Sequence, residues 1–218
     1  MNGMPESDAR PVLYDYFRSS AAYRVRIALG LKGIAYDRVA VDLRTGAQGG
    51  ADHRALNAQG LVPVLAIDGQ RLTQSLAIVD YLEMTRPEPA LLPAEPAGRA
   101  RVLAMAQLIA SDIHPIDNLR VLAYLRDRMG QDQAARDAWY AHWISEGLTA
   151  LETMAATGDG PYLAGDRPGV ADLCLVPQLY NARRFAVPLD GFPVLVAIDA
   201  ALAALPAFAA AHPDRVAG

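Results

Sequence analysis

Residues 12–33 read VLYDYFRSSAAYRVRIALGLKG, and this stretch decides the fold. An apolar run from Val12 to Phe17 stops at Arg18-Ser19-Ser20, and a helical pattern takes over. Val25, Ala28 and Leu29 share one face, and Gly33 stands where a C-terminal cap belongs. The strand is read over 12–17 and the helix over 19–33. The two serines have two possible uses. A hydroxyl at a helix mouth caps free amides. It can also donate to a thiolate, whose charge the helix dipole favours. The stretch holds no cysteine, so such a thiol has to come from a cofactor.

The alternation continues outward. YDRVAVDL (36–43) predicts a second strand, and residues 45–57 a glycine-rich loop with a short helix. LVPVLAID (61–68) predicts a third strand, which Asp68-Gly69 turns into a fourth, RLT (71–73). QSLAIVDYLEMTRP (74–87) predicts a helix that starts at Ser75 and stops before Pro87. The order βαβ then ββα describes a small mixed sheet with helices on its faces.

Prolines crowd residues 87–98, which read as a linker. Beyond Arg99 only helices are predicted: 99–129 with a kink at His114-Pro115, then 133–156, 170–185 around Pro177, and 193–208. The expected division is a flexible N-terminus over 1–10, an α/β domain over 11–88, a linker over 89–98 and an all-helical domain over 99–218.

The chain has 218 residues, 52% hydrophobic and 20% charged, with a net charge of −4 and no block of like charges. That balance argues against nucleic acid or an anionic membrane as partner. The single Cys174, within LCLVP, cannot form an internal disulfide and reads as a small buried hydrophobe. MNGMPESDAR lacks the apolar centre of a secretory signal, and no apolar run approaches a membrane span. A cytoplasmic protein is expected, and no metal site.

Three motifs stand out, each with a plain alternative. Gln74-Ser75 opens a helix directly after a strand; this is an ordinary cap or an anion site at free amides. Pro63, following Val62, removes a donor from the third strand, which marks a simple edge or leaves the Val62 backbone open to a peptide-like ligand. Ser19-Ser20 is the third. All three fall at one edge of the same small sheet.

That combination resembles the thioredoxin-like, glutathione-binding domain of the cytosolic glutathione transferases, and the helical half resembles the same family. RSSAAYRVRIALGLKG, ALNAQGLVPVL, LTQSLAIVDYLE, DIHPIDNLRVL and VADLCLVPQLYNARRF look like the zeta class, whose best-known members isomerise maleylacetoacetate or maleylpyruvate. Two departures are visible. Ala21 stands where many zeta members carry a cysteine, and Gly169 stands where threonine commonly opens the helix before Ala171-Asp172. Gly169 reads as an acceptable, slightly weaker cap, and Asp172 as structural.

The resemblance implies glutathione as cofactor and a small dicarboxylic acid as substrate. The implied reaction is cis–trans isomerisation by reversible addition of the glutathione thiolate to the double bond. Ser19, or less favoured Ser20, holds the thiolate. Gln74 and Ser75 take the γ-glutamyl end, Val62 with Pro63 pairs with the cysteinyl backbone, and Gln48 reaches the glycine end. His114 and Asn118 are further contacts from the helical half, with an ordinary core or capped histidine as the competing reading of His114. Arg18 and Arg184 are the candidate carboxylate clamps, because a planar guanidinium fits a carboxylate. Arg183, Arg24 and Arg26 read as surface or structural. A homodimer is implied too. A conjugating or dehalogenating transferase and a non-enzymatic binding relative stay open, as does the choice between the two diacids.

Overall fold

The computed structural model of the chain describes residues 9–217, so residues 1–8 of the N-terminal segment expected to be flexible lie outside the described residues. The chain forms two compact units, one from the residues up to Pro89 together with those from Pro206, the other from Ala90 to Leu205.

The first unit is built from β1 (Val12–Asp15), α1 (Ser20–Leu31), β2 (Asp37–Ala40), α2 (Ala51–Leu56), β3 (Val64–Ile67), β4 (Gln70–Thr73) and α3 (Ser75–Thr85). The sheet order is β2-β1-β3-β4, with β1 parallel to β2 and antiparallel to β3. Strands are shorter than their apolar runs because Tyr16 and Phe17 already turn toward α1 and because β3 begins only after Pro63. Asp68 and Gly69 both have positive φ, 52° and 71°, which is the tight hairpin their sequence predicts. Leu13, Val25, Leu29, Leu65, Ile78 and Leu82 are fully buried around the sheet, each contributing roughly 1.5–3 kcal/mol of hydrophobic stabilisation.

In the second unit α4 runs Pro96–Gln107, three residues into the expected linker. The Glu95 carboxylate starts it by accepting from the amides of Ala97 and Gly98 at 2.8 and 2.6 Å. A π-helical turn over Leu108–Ile113 leads into the short α5 (His114–Ile116) and then α6 (Leu119–Asp127). The disturbance expected at His114-Pro115 appears as this π-helical turn directly before the proline, whose missing amide hydrogen cannot continue the regular ladder. The break falls at Asp117-Asn118, where Asn118 Oδ1 accepts from the amide of Arg120 at 3.1 Å. Helices α7 (Gln133–Ala155), α8 (Val170–Arg184) and α9 (Pro193–Ala203) complete the unit. Cys174 is fully buried on α8 with Leu173, Leu175 and Leu179. Gly147 lets α7 close on the π turn, for a Cβ there would collide with the Ile113 side chain.

The helix predicted over 193–208 is cut at Pro206, and its remainder belongs elsewhere. Helices α10 (Pro206–Ala211) and α11 (Pro213–Val216) are part of the first unit, whereas the sequence division assigns all of 99–218 to the helical domain. Two arginines, Arg26 buried and Arg38 half-buried, hold this tail. Arg26 Nη1 donates to both carboxylate oxygens of Asp15 at 2.8 Å and its Nε to the carbonyl of Ala211 at 3.0 Å. Arg38 bridges Asp15 at 3.0 Å and the Val216 carbonyl at 2.6 Å.

Candidate active site

The strand register gathers one set of residues. Tyr14 pairs with Val64, and Val64 with Thr73, so the end of β1, the start of β3 and the end of β4 share one end of the sheet. Ser19, Val62-Pro63, Gln74 and Ser75 follow or precede those strand ends directly. No cluster of three or more His, Cys, Asp or Glu among the described residues is arranged to hold a metal ion.

Ser19 is the N-cap of α1, with extended backbone (φ −69°, ψ 118°), and its Oγ accepts from the Ala22 amide at 3.2 Å. Accepting that bond leaves the hydroxyl hydrogen able to donate to another acceptor. Ser19 is half-buried, whereas Ser20, the first residue of α1, is 4% exposed. Arg18 is exposed, its guanidinium 4.9 Å from the Phe17 ring centroid.

The Val62–Pro63 peptide is cis. The turn before it is pinned at the Leu61 carbonyl by His53 Nε2 at 2.9 Å and Asn57 Nδ2 at 2.8 Å. Val62 lies outside the ladder that starts at Val64, and its main chain bonds no other described residue. Its amide and carbonyl are the kind of open edge on which an extended peptide pairs.

Gln74 holds φ +64°, a left-handed backbone that costs a non-glycine residue of order 1–3 kcal/mol and is kept where surrounding structure enforces it. Its Nε2 donates to Gln59 Oε1 at 2.7 Å. No side chain caps α3, so the amides of its first turn remain for an anion. Ser75, 5% exposed, accepts from Arg24 Nη1 at 3.3 Å. Gln48 is half-buried, and its Oε1 is buried without a hydrogen-bond partner.

Arg24 and Arg26, read as surface or structural, are 2% and 1% exposed. Both are structural, and Arg24 also touches the candidate site. Its signal in the sequence is absent, because its partner Ser75 lies 51 positions away.

His114, Asn118 and Arg184 belong to the helical unit. His114 is half-buried at the start of α5, and Asn118 caps α6. Arg184 is exposed at the end of α8, with Nη1 3.3 Å from Asn181 Oδ1 and its guanidinium 5.1 Å from the Phe185 ring centroid. Arg183 instead pairs with Asp199 at 2.7 Å, joining α8 to α9 as a structural residue does. Phe185 stacks on Tyr140 of α7 with ring centroids 3.8 Å apart.

Two buried carboxylates in this unit have raised pKa values. Asp172 is pushed up to about 6 by burial, against backbone hydrogen bonds that lower it. It accepts from the amides of Leu163 at 2.9 Å and Gly169 at 2.8 Å, the structural role expected. Asp117, 6% exposed, is pushed up to about 7 by burial. Nothing local in the sequence marks Asp117, since a carboxylate in an IDN turn looks like an exposed one.

The residues 18–85 match the family model described as glutathione S-transferase, N-terminal domain, and 133–212 the model of its C-terminal domain. The chain is 56% identical over 205 residues to a maleylacetoacetate isomerase of Rhizobium meliloti (strain 1021), covering 94% of this chain and 96% of that protein. Among solved structures it superposes with TM-score 0.92 and 47% identity on the holo structure of a maleyl pyruvate isomerase, a bacterial zeta-class glutathione transferase, covering 94% and 97% of the two chains. A maleylacetoacetate isomerase from Methylobacterium extorquens AM1 with bound malonate and glutathione gives TM-score 0.91 at 42% identity, covering 94% and 97%. With both domain models matched in order and near-complete coverage, this chain belongs to the glutathione S-transferase family, in its zeta class.

Proposed function

We propose that the chain is a glutathione-dependent cis–trans isomerase acting on maleylacetoacetate, working as a cytoplasmic homodimer. The observation that carries this reading is the sheet end, where an unpaired Val62 main chain, the uncapped first turn of α3 and the N-cap hydroxyl of Ser19 occur together. Those groups fit the peptide backbone, the γ-glutamyl carboxylate and the thiol of glutathione respectively, and the unpartnered Gln48 Oε1 fits a donor at the glycine end. Bound glutathione would supply a thiolate whose reversible addition turns the double bond into a single bond free to rotate, the alkene reforming as the thiolate leaves.

The residues of the chain do the rest. Ser19 donates to the sulfur and, with the N-terminal end of α1, favours its ionised form. Gln74 and Ser75 hold the γ-glutamyl end, and Arg24 orients Ser75. His114 and Asn118 are proposed as further glutathione contacts. Arg184, with Arg18, pairs with substrate carboxylates and offsets negative charge as it develops. The relative named maleyl pyruvate isomerase favours a second diacid, which differs at the far end of the molecule. Initial rates on both diacids, with glutathione present and absent, test the reading. Glutathione-dependent turnover of maleylacetoacetate supports it, preference for maleylpyruvate replaces the substrate, and no turnover of either contradicts it.

A further inference from the structure

Ser19 enters its helix from a tight turn. Its amide donates to the Tyr16 carbonyl at 2.8 Å, closing a four-residue turn with Phe17 and Arg18 at its centre. That closing bond joins the first and fourth residues and does not hold the central peptide, between Phe17 and Arg18. The central peptide is held by Arg26, whose Nη2 donates to the Phe17 carbonyl at 2.9 Å.

Arg26 lies within α1 and is 1% exposed. Its guanidinium has three further acceptors in the same unit. Nη1 donates to both oxygens of Asp15 at 2.8 Å, and Nε donates to the Ala211 carbonyl at 3.0 Å. It also lies 5.0 Å from the Tyr23 ring centroid. One planar fork therefore joins the end of β1, the turn before Ser19 and the last residue of α10. Asp15 is fully buried and shared with Arg38, which in turn holds the Val216 carbonyl at 2.6 Å. A guanidinium bound on so many sides does not swing, and it fixes the carbonyl it holds. The bonds to Asp15 and Ala211 account for the packing of strand and tail. The bond to Phe17 acts two residues before Ser19.

We infer that Arg26 is a positioning residue for the thiolate site: braced by Asp15 and the C-terminal tail, it holds the Phe17 carbonyl and so fixes where Ser19 meets the sulfur of glutathione. This rests on the reading of Ser19 as the donor to that sulfur. The charge of Arg26 is matched by Asp15, so its part is geometric. Lysine keeps that charge, but its single ammonium lacks the planar fork that reaches Asp15, Phe17 and Ala211 together.

The test follows the ultraviolet absorbance of the bound thiolate against pH in the glutathione-loaded protein, beside steady-state kinetics on maleylacetoacetate. The proteins are the wild type, Ser19→Ala, Arg26→Lys and the Ser19→Ala/Arg26→Lys double variant. In Arg26→Lys the bound sulfur titrates about one pH unit higher. Its kcat falls about tenfold, as a small misplacement produces, while KM for glutathione moves no more than a few-fold. The double variant shows no more than the Ser19→Ala change, because Arg26 acts through Ser19. Lys32→Met breaks the 2.7 Å pair with Glu83 at the other end of α1, controls for lost stability, and leaves the sulfur titrating as in the wild type. Asp15→Leu/Arg26→Met removes the fully buried pair together and is read in the same way should Arg26→Lys not fold. A bound sulfur that titrates as in the wild type in the Arg26 variants overturns the inference alone. So do additive shifts in the double variant, or an equal shift in Lys32→Met. An unshifted sulfur in Ser19→Ala overturns the Ser19 reading and the inference together.

Discussion

Arg24 Nη1 of α1 lies 3.3 Å from Ser75 Oγ of α3, so the helix whose mouth is Ser19 is tied from within to the helix whose mouth is Ser75. Both are buried, at 2% and 5% exposure. The two helix N-termini proposed to hold the thiol and the γ-glutamyl end of glutathione are thereby set in one geometry.

Replacing Arg24 by Met keeps much of the stem but removes that tie. Glutathione affinity is expected to fall about tenfold, the loss of one charge-assisted hydrogen bond, with kcat at saturating glutathione changed far less. Calorimetric titration with glutathione beside steady-state kinetics checks the split.

Ser19→Ala removes both the cap and the proposed donor to sulfur. Loss of the cap costs about 1 kcal/mol of stability. Loss of the donor lowers kcat by ~10²-fold, the scale seen when one positioned donor is deleted. Ser20→Ala, at a buried position, leaves kcat within a few-fold. The ultraviolet absorbance of bound thiolate followed against pH reports the same contrast, with the sulfur titrating at higher pH in Ser19→Ala only.

Asp117 sets a stability profile. Its folded pKa of about 7 lies above the ordinary value of 3.8, so the folded state holds the proton more tightly than the unfolded one. The stabilising contribution is whole below about pH 4, is lost as pH rises toward 7, and is constant above. Asp117→Asn, which never carries the buried charge, gains on the wild type across that window. Melting temperatures at pH 4 and pH 8 are expected to be similar at the first and a few degrees higher for the variant at the second.

Gly169 shows where propensity misleads. Threonine is the better cap by rank, yet a Cβ at 169 falls 2.6 Å from Ala164 Cβ and 2.7 Å from the Leu91 carbonyl oxygen. Gly169→Thr is expected to destabilise by ~1–3 kcal/mol, the cost of overpacking, measured as a lower urea midpoint.

Asp15 is fully buried between Arg26 and Arg38. Asp15→Asn leaves both guanidiniums short of a countercharge and is expected to cost ~3–5 kcal/mol. The same denaturant titration reads it, and partial loss of the tail's protection from hydrogen exchange accompanies it.

What the sequence shows and hides follows from range. The Asp68-Gly69 hairpin, the Ser19 cap and the start of α3 at Ser75 are local, written in a few adjacent residues. The break at Asp117-Asn118 is not, because Pro115 looks like the breaker until the π turn over Leu108–Ile113 shows how the chain absorbs it. Arg24 and Arg26 read only as surface or structural, since Ser75, Asp15 and the Ala211 carbonyl that bury them are distant or on another element. The return of α10 and α11 to the first unit is equally non-local, settled by Arg26, Arg38 and the close approach of Gly30 to Ala207, whose Cβ lies 3.2 Å from a Cβ built there.

The most direct measurement is free thiol counted through many turnovers of maleylacetoacetate at a limiting, known amount of glutathione. The account predicts fumarylacetoacetate in large excess over glutathione while the thiol count stays constant, with the rate lost in Ser19→Ala. Thiol disappearing in step with substrate contradicts it and makes the chain a conjugating transferase.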